Sequence, residues 1–118
     1  MNDQSVSIHP YFLINPGCGD AFRTVCDKMI AKTLEEKGCL NYGFSFSGDR
    51  AFCRESYRDA ESALHHLNNV GDELKEALEY AKLERLEIHG SQQQLAAMQE
   101  QVAPLSPVLF TVEKGFRH

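Results

Sequence analysis

An α+β fold, with an antiparallel sheet covered by helices on one face, is what three features of this 118-residue chain predict. Apolar residues alternate with polar ones in several short segments, as half-buried strands require. Between these lie segments whose apolar residues recur three and four apart, the stripe of an amphipathic helix. The two kinds follow one another as βαββα, then a helical extension, a strand, a short helix and a strand. The first part of that order is the ferredoxin-like pattern of two βαβ-type halves. A typical domain has roughly 100 to 150 residues, so residues 1–118 are read as a single domain.

Val6 to Ile14 (VSIHPYFLI) is rich in β-branched and aromatic residues and runs into the turn-like Asn15-Pro16-Gly17, which predicts the first strand. Pro10 cannot donate a ladder hydrogen bond, so an edge position or a bulge is expected there. Asp20 is placed as the cap of a helix whose face is Phe22, Val25, Cys26, Met29, Ile30 and Leu34, with Lys37 in its last turn and Gly38 as its stop. Leu40, Tyr42, Phe44 and Phe46 alternate with Asn41, Gly43 and Ser45 in a second strand. Ser47-Gly48-Asp49 then turns the chain into a third, Arg50–Tyr57, to make a hairpin.

Asp59 caps a second helix through Ala63, Leu64 and Leu67, and residues 72–82 form a third with Leu74, Ala77, Leu78 and Ala81 on one stripe. Residues 83–89 alternate as a fourth strand. Ser91 opens another helix, with Gln94 as its capping-box partner and Leu95, Ala96, Met98 and Val102 as its apolar side. Pro104 and Pro107 end it, and residues 108–113 form the last strand. One layer of helices covers one face of such a sheet, while the strands carry more apolar side chains than that layer can hide. A homodimer packed sheet to sheet is therefore expected.

Hydrophobic residues make up 42% and charged ones 25%, the balance of a folding chain rather than a disordered tail. A formal charge of -5 with no dense Lys/Arg run excludes nucleic acid as a partner. No apolar run approaches the roughly 20 residues a bilayer span needs, and the polar start MNDQS lacks the regions of a signal peptide, so the expected location is cytoplasmic with no membrane contact. Cys18, Cys26, Cys39 and Cys53 form no CxxC pair, which predicts separate reduced thiols and no zinc site.

Three stretches together resemble the antibiotic biosynthesis monooxygenase (ABM) family of dimeric α/β barrels: Glu36-Lys37-Gly38-Cys39-Leu40-Asn41-Tyr42-Gly43-Phe44, Glu55-Ser56-Tyr57-Arg58-Asp59-Ala60-Glu61 leading to Leu64-His65-His66-Leu67, and Leu86-Glu87-Ile88-His89-Gly90. The resemblance covers roughly residues 6 to 90. It implies a ferredoxin-like homodimer forming a dimeric α/β barrel, with a pocket between sheet and helices in each subunit. It further implies, as in some members, oxidation of small aromatic or quinol substrates by dioxygen without metal or flavin. In such chemistry the substrate supplies the electrons, and the protein binds it, deprotonates it and holds the anion. Haem-degrading relatives use a His, an Asn and a Trp, whereas this chain has no Trp and carries Tyr57 where relatives often have one.

His66 matches the helix histidine found after the third strand in that family and is the candidate catalytic base or donor to a substrate oxygen. Tyr57 is the second catalytic candidate, placed to offer a hydroxyl at the end of its strand. His65 projects about 100° away from its neighbour and is expected in solvent. His9, Asn41, Arg54 and His89 are candidate substrate-binding residues, each also readable as an ordinary structural or cross-strand partner. No histidines fall in HxH or HxxxH spacing and no glycine-rich nucleotide fingerprint is present, so no cofactor and no metal are expected. The expected function is cofactor-independent monooxygenation of a small aromatic or quinol. The alternative is a non-catalytic, dimeric small-molecule-binding protein on the same scaffold. A closed pocket with polar groups converging beside His66 would favour the enzyme, and a filled sheet-helix interface the binder.

Overall fold

A computed structural model describes residues 2–118. Its elements are β1 (Val6–Ile14), α1 (Gly19–Leu34), β2 (Cys39–Ser47), β3 (Arg50–Tyr57), α2 (Ala60–Asn69), α3 (Gly71–Tyr80), β4 (Ala81–Gly90), α4 (Gln92–Val102) and β5 (Val108–Thr111). The strands form one sheet in the order β2-β3-β1-β4-β5, the ferredoxin-like arrangement with one strand added at the edge. The first four strands pair antiparallel, as expected. Strand β5 runs parallel to β4, so the sheet is mixed. The chain returns through α4 and a short 3-10 turn, Ala103–Leu105, which is the crossover a parallel neighbour needs.

Pro10 does not mark an edge. β1 is the central strand, and the irregularity appears in its ladders: pairing with β4 shifts between Tyr11 and Phe12, and no pairs to β3 form at His9 and Pro10. A residue without an N–H is accommodated by breaking the ladder locally.

Two ends of α1 also differ from expectation. The chain enters the helix two residues earlier, with Cys18 at the cap position and Asp20 inside the first turn, where its charge suits the amide end without a side-chain cap bond. The helix stops at Leu34, and the Glu35 and Glu36 amides fall back on the carbonyls of Lys32 and Thr33 in a tightened last turn. Gly38 is needed for a different reason: a Cβ there would strike the Ser62 side chain in the first turn of α2. Asp59 does cap α2, accepting from the Ser62 amide at 2.8 Å, and Ser91 caps α4, accepting from the Gln94 amide at 3.2 Å. Gln94 does not close a capping box; its side chain accepts from the Ala60 amide at 2.8 Å and so ties α4 to α2. On α4, Leu95, Met98 and Val102 are buried while Ala96 is exposed.

The helices cover one face of the sheet in two apolar clusters. One packs Val6, Ile8, Tyr57 and Ile88 against α2 and α4, and the other packs Phe12, Ile14 and Ala51 against α1 and α3. Where the two clusters meet, a cavity remains. Among the described residues, no helix is long and apolar enough to cross a membrane.

Candidate functional site

The cavity lies between β1, β2, β3 and β4 on one side and α1, α2 and α3 on the other, with Leu105 closing one end. Its walls are mostly aliphatic and aromatic, from Ile8, Phe12, Met29, Phe44, Leu74, Leu86 and their neighbours. Polar groups converge at one place, where Glu55, His66, Tyr42 and the Cys53 thiol meet. The space has a volume of about 40 Å³, enough for two or three waters at roughly 10–15 Å³ each.

Strand alternation sets this up. Ala51, Cys53, Glu55 and Tyr57 are buried on the helix side of β3, while Phe52, Arg54 and Ser56 point the other way. A carboxyl group is thereby held between Cys53 and Tyr57 on a face otherwise built from apolar residues. The Tyr57 hydroxyl donates to Glu55 Oε1 at 2.5 Å. His66, 2% exposed on the inner face of α2, places Nε2 3.4 Å from the same oxygen. Its Nδ1 lies 3.0 and 3.1 Å from the two oxygens of Glu36, which also accepts from Asn69 Nδ2 at 2.8 Å. A carboxylate can only accept here, so Nδ1 carries the proton and Nε2 is left to face Glu55. The result is a buried chain, Tyr57–Glu55–His66–Glu36, and no buried side-chain N or O among the described residues lacks a partner.

Burial governs its protonation. Loss of hydration pushes the Glu55 carboxyl up to about 7, against the hydrogen bonds from Tyr57 and Cys53 that favour its anion, and the Glu36 charge pushes the same way as burial. Burial draws the His66 imidazole below its ordinary value, opposed by Glu36. The two shifts run in opposite senses, and both favour the uncharged form of the pair, a protonated Glu55 beside a neutral imidazole. Burial and the Glu55 charge push the Tyr57 and Cys53 groups well up, which keeps the tyrosine a donor and the thiol unreactive. His66 has its two carboxylates on opposite ring nitrogens, so the three groups do not converge on a point. Among the described residues, no cluster of three or more His, Cys, Asp or Glu has the geometry of a metal site.

Of the sequence candidates, only His66 lines the cavity. Tyr57 stands one step behind it, buried and acting on Glu55. His9, Asn41, Arg54 and His89, the substrate-binding candidates from sequence, do not line it. The inward positions of β1 and β3 are Ile8, Pro10 and Phe12, and Cys53 and Glu55; one residue on, the side chain emerges on the open face. There the His9 ring packs at a tilt against His89 with ring centroids 4.4 Å apart, and His9 Nε2 contacts Ser7 Oγ at 2.7 Å. Asn41 bonds to Ser56 and to the Arg54 carbonyl. His65 is exposed, as expected. Sequence reading missed Glu55 and Glu36. For Glu55 the signal was present in the alternation Ala51-Cys53-Glu55-Tyr57; Glu36 gave none, because its inward turn depends on where α1 ends.

The fold, with its helix-side cavity, is ferredoxin-like with one added edge strand. A Chloroflexus aurantiacus structure provisionally described as an antibiotic biosynthesis monooxygenase shares the fold at 18% identity and a TM-score of 0.61, over 71% of this chain and 89% of that one. A conserved protein of Methanosarcina mazei Go1 does so at 20% identity and a TM-score of 0.68, over 73% and 91%. The chain belongs to the family of MupZ from Pseudomonas fluorescens, to which it is 36% identical over its whole length and 92% of that chain, with a TM-score of 0.95. No protein-family model matches the sequence, and no curated protein does.

Proposed function

We propose that this protein is an enzyme of proton transfer, in which the Glu55–His66 pair acts as general acid and base on a small, largely apolar substrate held in the helix-side cavity. One observation carries the reading: a carboxyl group pushed up to about 7 sits against an imidazole at the single polar end of an apolar cavity. Acid–base groups work best when they titrate near the working pH. A purely binding protein would have no need of a buried carboxylate–imidazole chain, which costs desolvation to hold.

The reaction this serves, on the ABM-like scaffold, is cofactor-independent oxygenation of a small aromatic or quinol. Glu55, with His66 behind it, takes the phenolic proton, and dioxygen accepts electrons from the resulting anion, one oxygen atom entering the ring and the other leaving as water. The Tyr42 hydroxyl, which contacts Met29 Sδ at 3.8 Å, is a neutral donor on the cavity wall. Substrate entry requires the walls to yield, and Met29, with its flexible thioether, is suited to moving. The working form is a homodimer closed over the open face of the sheet, where Tyr11 and Phe110 are 37% and 40% exposed.

A second reading rests on charge. Among the described residues no Lys or Arg lines the cavity, and the two carboxylates beside His66 do little for an anion. Protonated Glu55 can instead donate to a neutral substrate oxygen, promoting an addition or isomerisation without redox change. Turnover of a panel of quinols and of neutral oxygen-bearing apolar compounds, with and without dioxygen, separates the two. Consumption of quinol only with dioxygen supports oxygenation, and turnover unaffected by its removal supports the second reading. No turnover in either series overturns the enzyme.

A further inference from the structure

We propose that Glu36 is a positioning residue at the outer end of a proton path, linking Glu55 in the cavity through His66 to water at the surface. The inference rests on the acid–base reading of Glu55 and extends it to how that group is reset. A buried acid or base must regain its starting proton each cycle, and away from Tyr42, Cys53, Glu55 and His66 the cavity walls are apolar side chains that cannot relay one.

The geometry supplies a route. The Glu36 side chain is 3% exposed, yet the residue borders two surface depressions, one with Lys37, Arg58 and His65 and the other with Leu34, Leu40 and Tyr42. Glu55 borders neither and faces only the cavity. His66 lies between the two carboxyls with one ring nitrogen toward each, at 3.0 and 3.4 Å. Its position on α2, and the early end of α1 that turns Glu36 inward, make the chain continuous from cavity to surface. Stability gives no reason for such an arrangement, since buried ion pairs are often bettered by apolar packing.

The transfer balances without any other reactant. With Nδ1 carrying the proton, a proton leaving Glu55 passes to Nε2 as the Nδ1 proton passes to Glu36 and on to water, and the imidazole changes tautomer with no change in charge. From that second tautomer the reverse sequence carries a proton inward. Asn69, donating to the Glu36 oxygen, holds the carboxylate in line.

The test needs no substrate. In protein labelled with ¹⁵N-histidine, the exchange of the His66 ring N–H with water is measured by NMR relative to the backbone amides of α2. Glu36→Gln keeps an acceptor for Nδ1 but cannot relay a proton, and exchange is expected to slow at least tenfold. Glu36→Asp withdraws the carboxyl by one methylene and should slow it less; this variant decides the matter where Glu36→Gln fails to fold. Exchange as fast as wild type, or faster, in the folded variant overturns the path, because a merely structural Glu36 would leave the ring more open when altered. Turnover reports separately: absence of any reaction in wild type sinks the acid–base reading while the exchange result stands on its own.

Discussion

On the helix-covered face of the sheet, His66 meets Glu55 with both side chains almost fully buried; on the open face, His89 meets Glu87 at 3.1 Å with its side chain 32% exposed. The residue types are the same and the outcome is opposite. Arg85 and His89 hold the Glu87 carboxyl below its ordinary range, whereas burial pushes Glu55 up to about 7. A His–Glu pair in water is an ion pair of small consequence, whereas the same pair inside an apolar cavity has its protonation set by burial. The open face does something else with its aromatics. Tyr11 packs on Phe52 at 4.9 Å and His89 stacks on Phe110 at 4.6 Å, a flat, partly exposed surface suited to a second copy.

The sharpest way to break this contrast is to truncate both histidines. His66→Ala and Glu55→Gln should each lower turnover on a confirmed substrate by about 10² to 10⁴, the range of a general acid or base. His89→Ala and His65→Ala should leave it near wild type. Equal losses from the two faces would erase the distinction.

The open face is tested next by Phe110→Asp. Because Phe110 is already 40% exposed in the single chain, the fold should persist while the dimer is lost, since burying an unpaired charge costs several kcal/mol. Light scattering at micromolar concentration checks this, and wild-type protein that is itself monomeric would remove the proposed dimer.

A smaller effect concerns pH. Glu55 has an ordinary value of 4.5 and a folded one of about 7, so between these the native chain holds a proton that the unfolded chain releases, and stability falls as pH rises through that window. The full difference is about 3 kcal/mol, taking 1.36 kcal/mol for each pH unit. His66 acts in the opposite sense, since its folded value is lowered and stability is lost as pH falls. Urea unfolding at pH 5 and pH 8 should show Glu55→Gln losing the decline that wild type has between them. The smallest effect is local: Asp59→Ala should cost about 1 kcal/mol through loss of the α2 cap.

Much of this molecule was legible in its sequence. The alternation of β1 to β4 and the Asp59 and Ser91 caps follow from local chemistry, and each lies where the pattern places it. The end of α1 was not legible, because Gly38 looks like a helix stop until Ser62 is seen packed above it. The parallel course of β5 was hidden for a similar reason, since four residues pair with whichever edge the crossover reaches. His66 was singled out through family resemblance, and it lines the cavity. His9 lies one residue out of step with the inward positions Ile8 and Pro10, and its ring meets His89 on the open face. Glu55 needed only that its alternation with Cys53 and Tyr57 be taken seriously. Glu36 comes from a turn 30 residues before His66 and could be found only in three dimensions.

The state of Glu55 is the point on which the account turns. A ¹³C NMR titration of the Glu55 carboxyl, assigned by comparison with Glu55→Gln, measures it directly. A midpoint near 7, shifted again in His66→Ala, is the expected result. A midpoint near the ordinary 4.5, unaffected by His66, would contradict it.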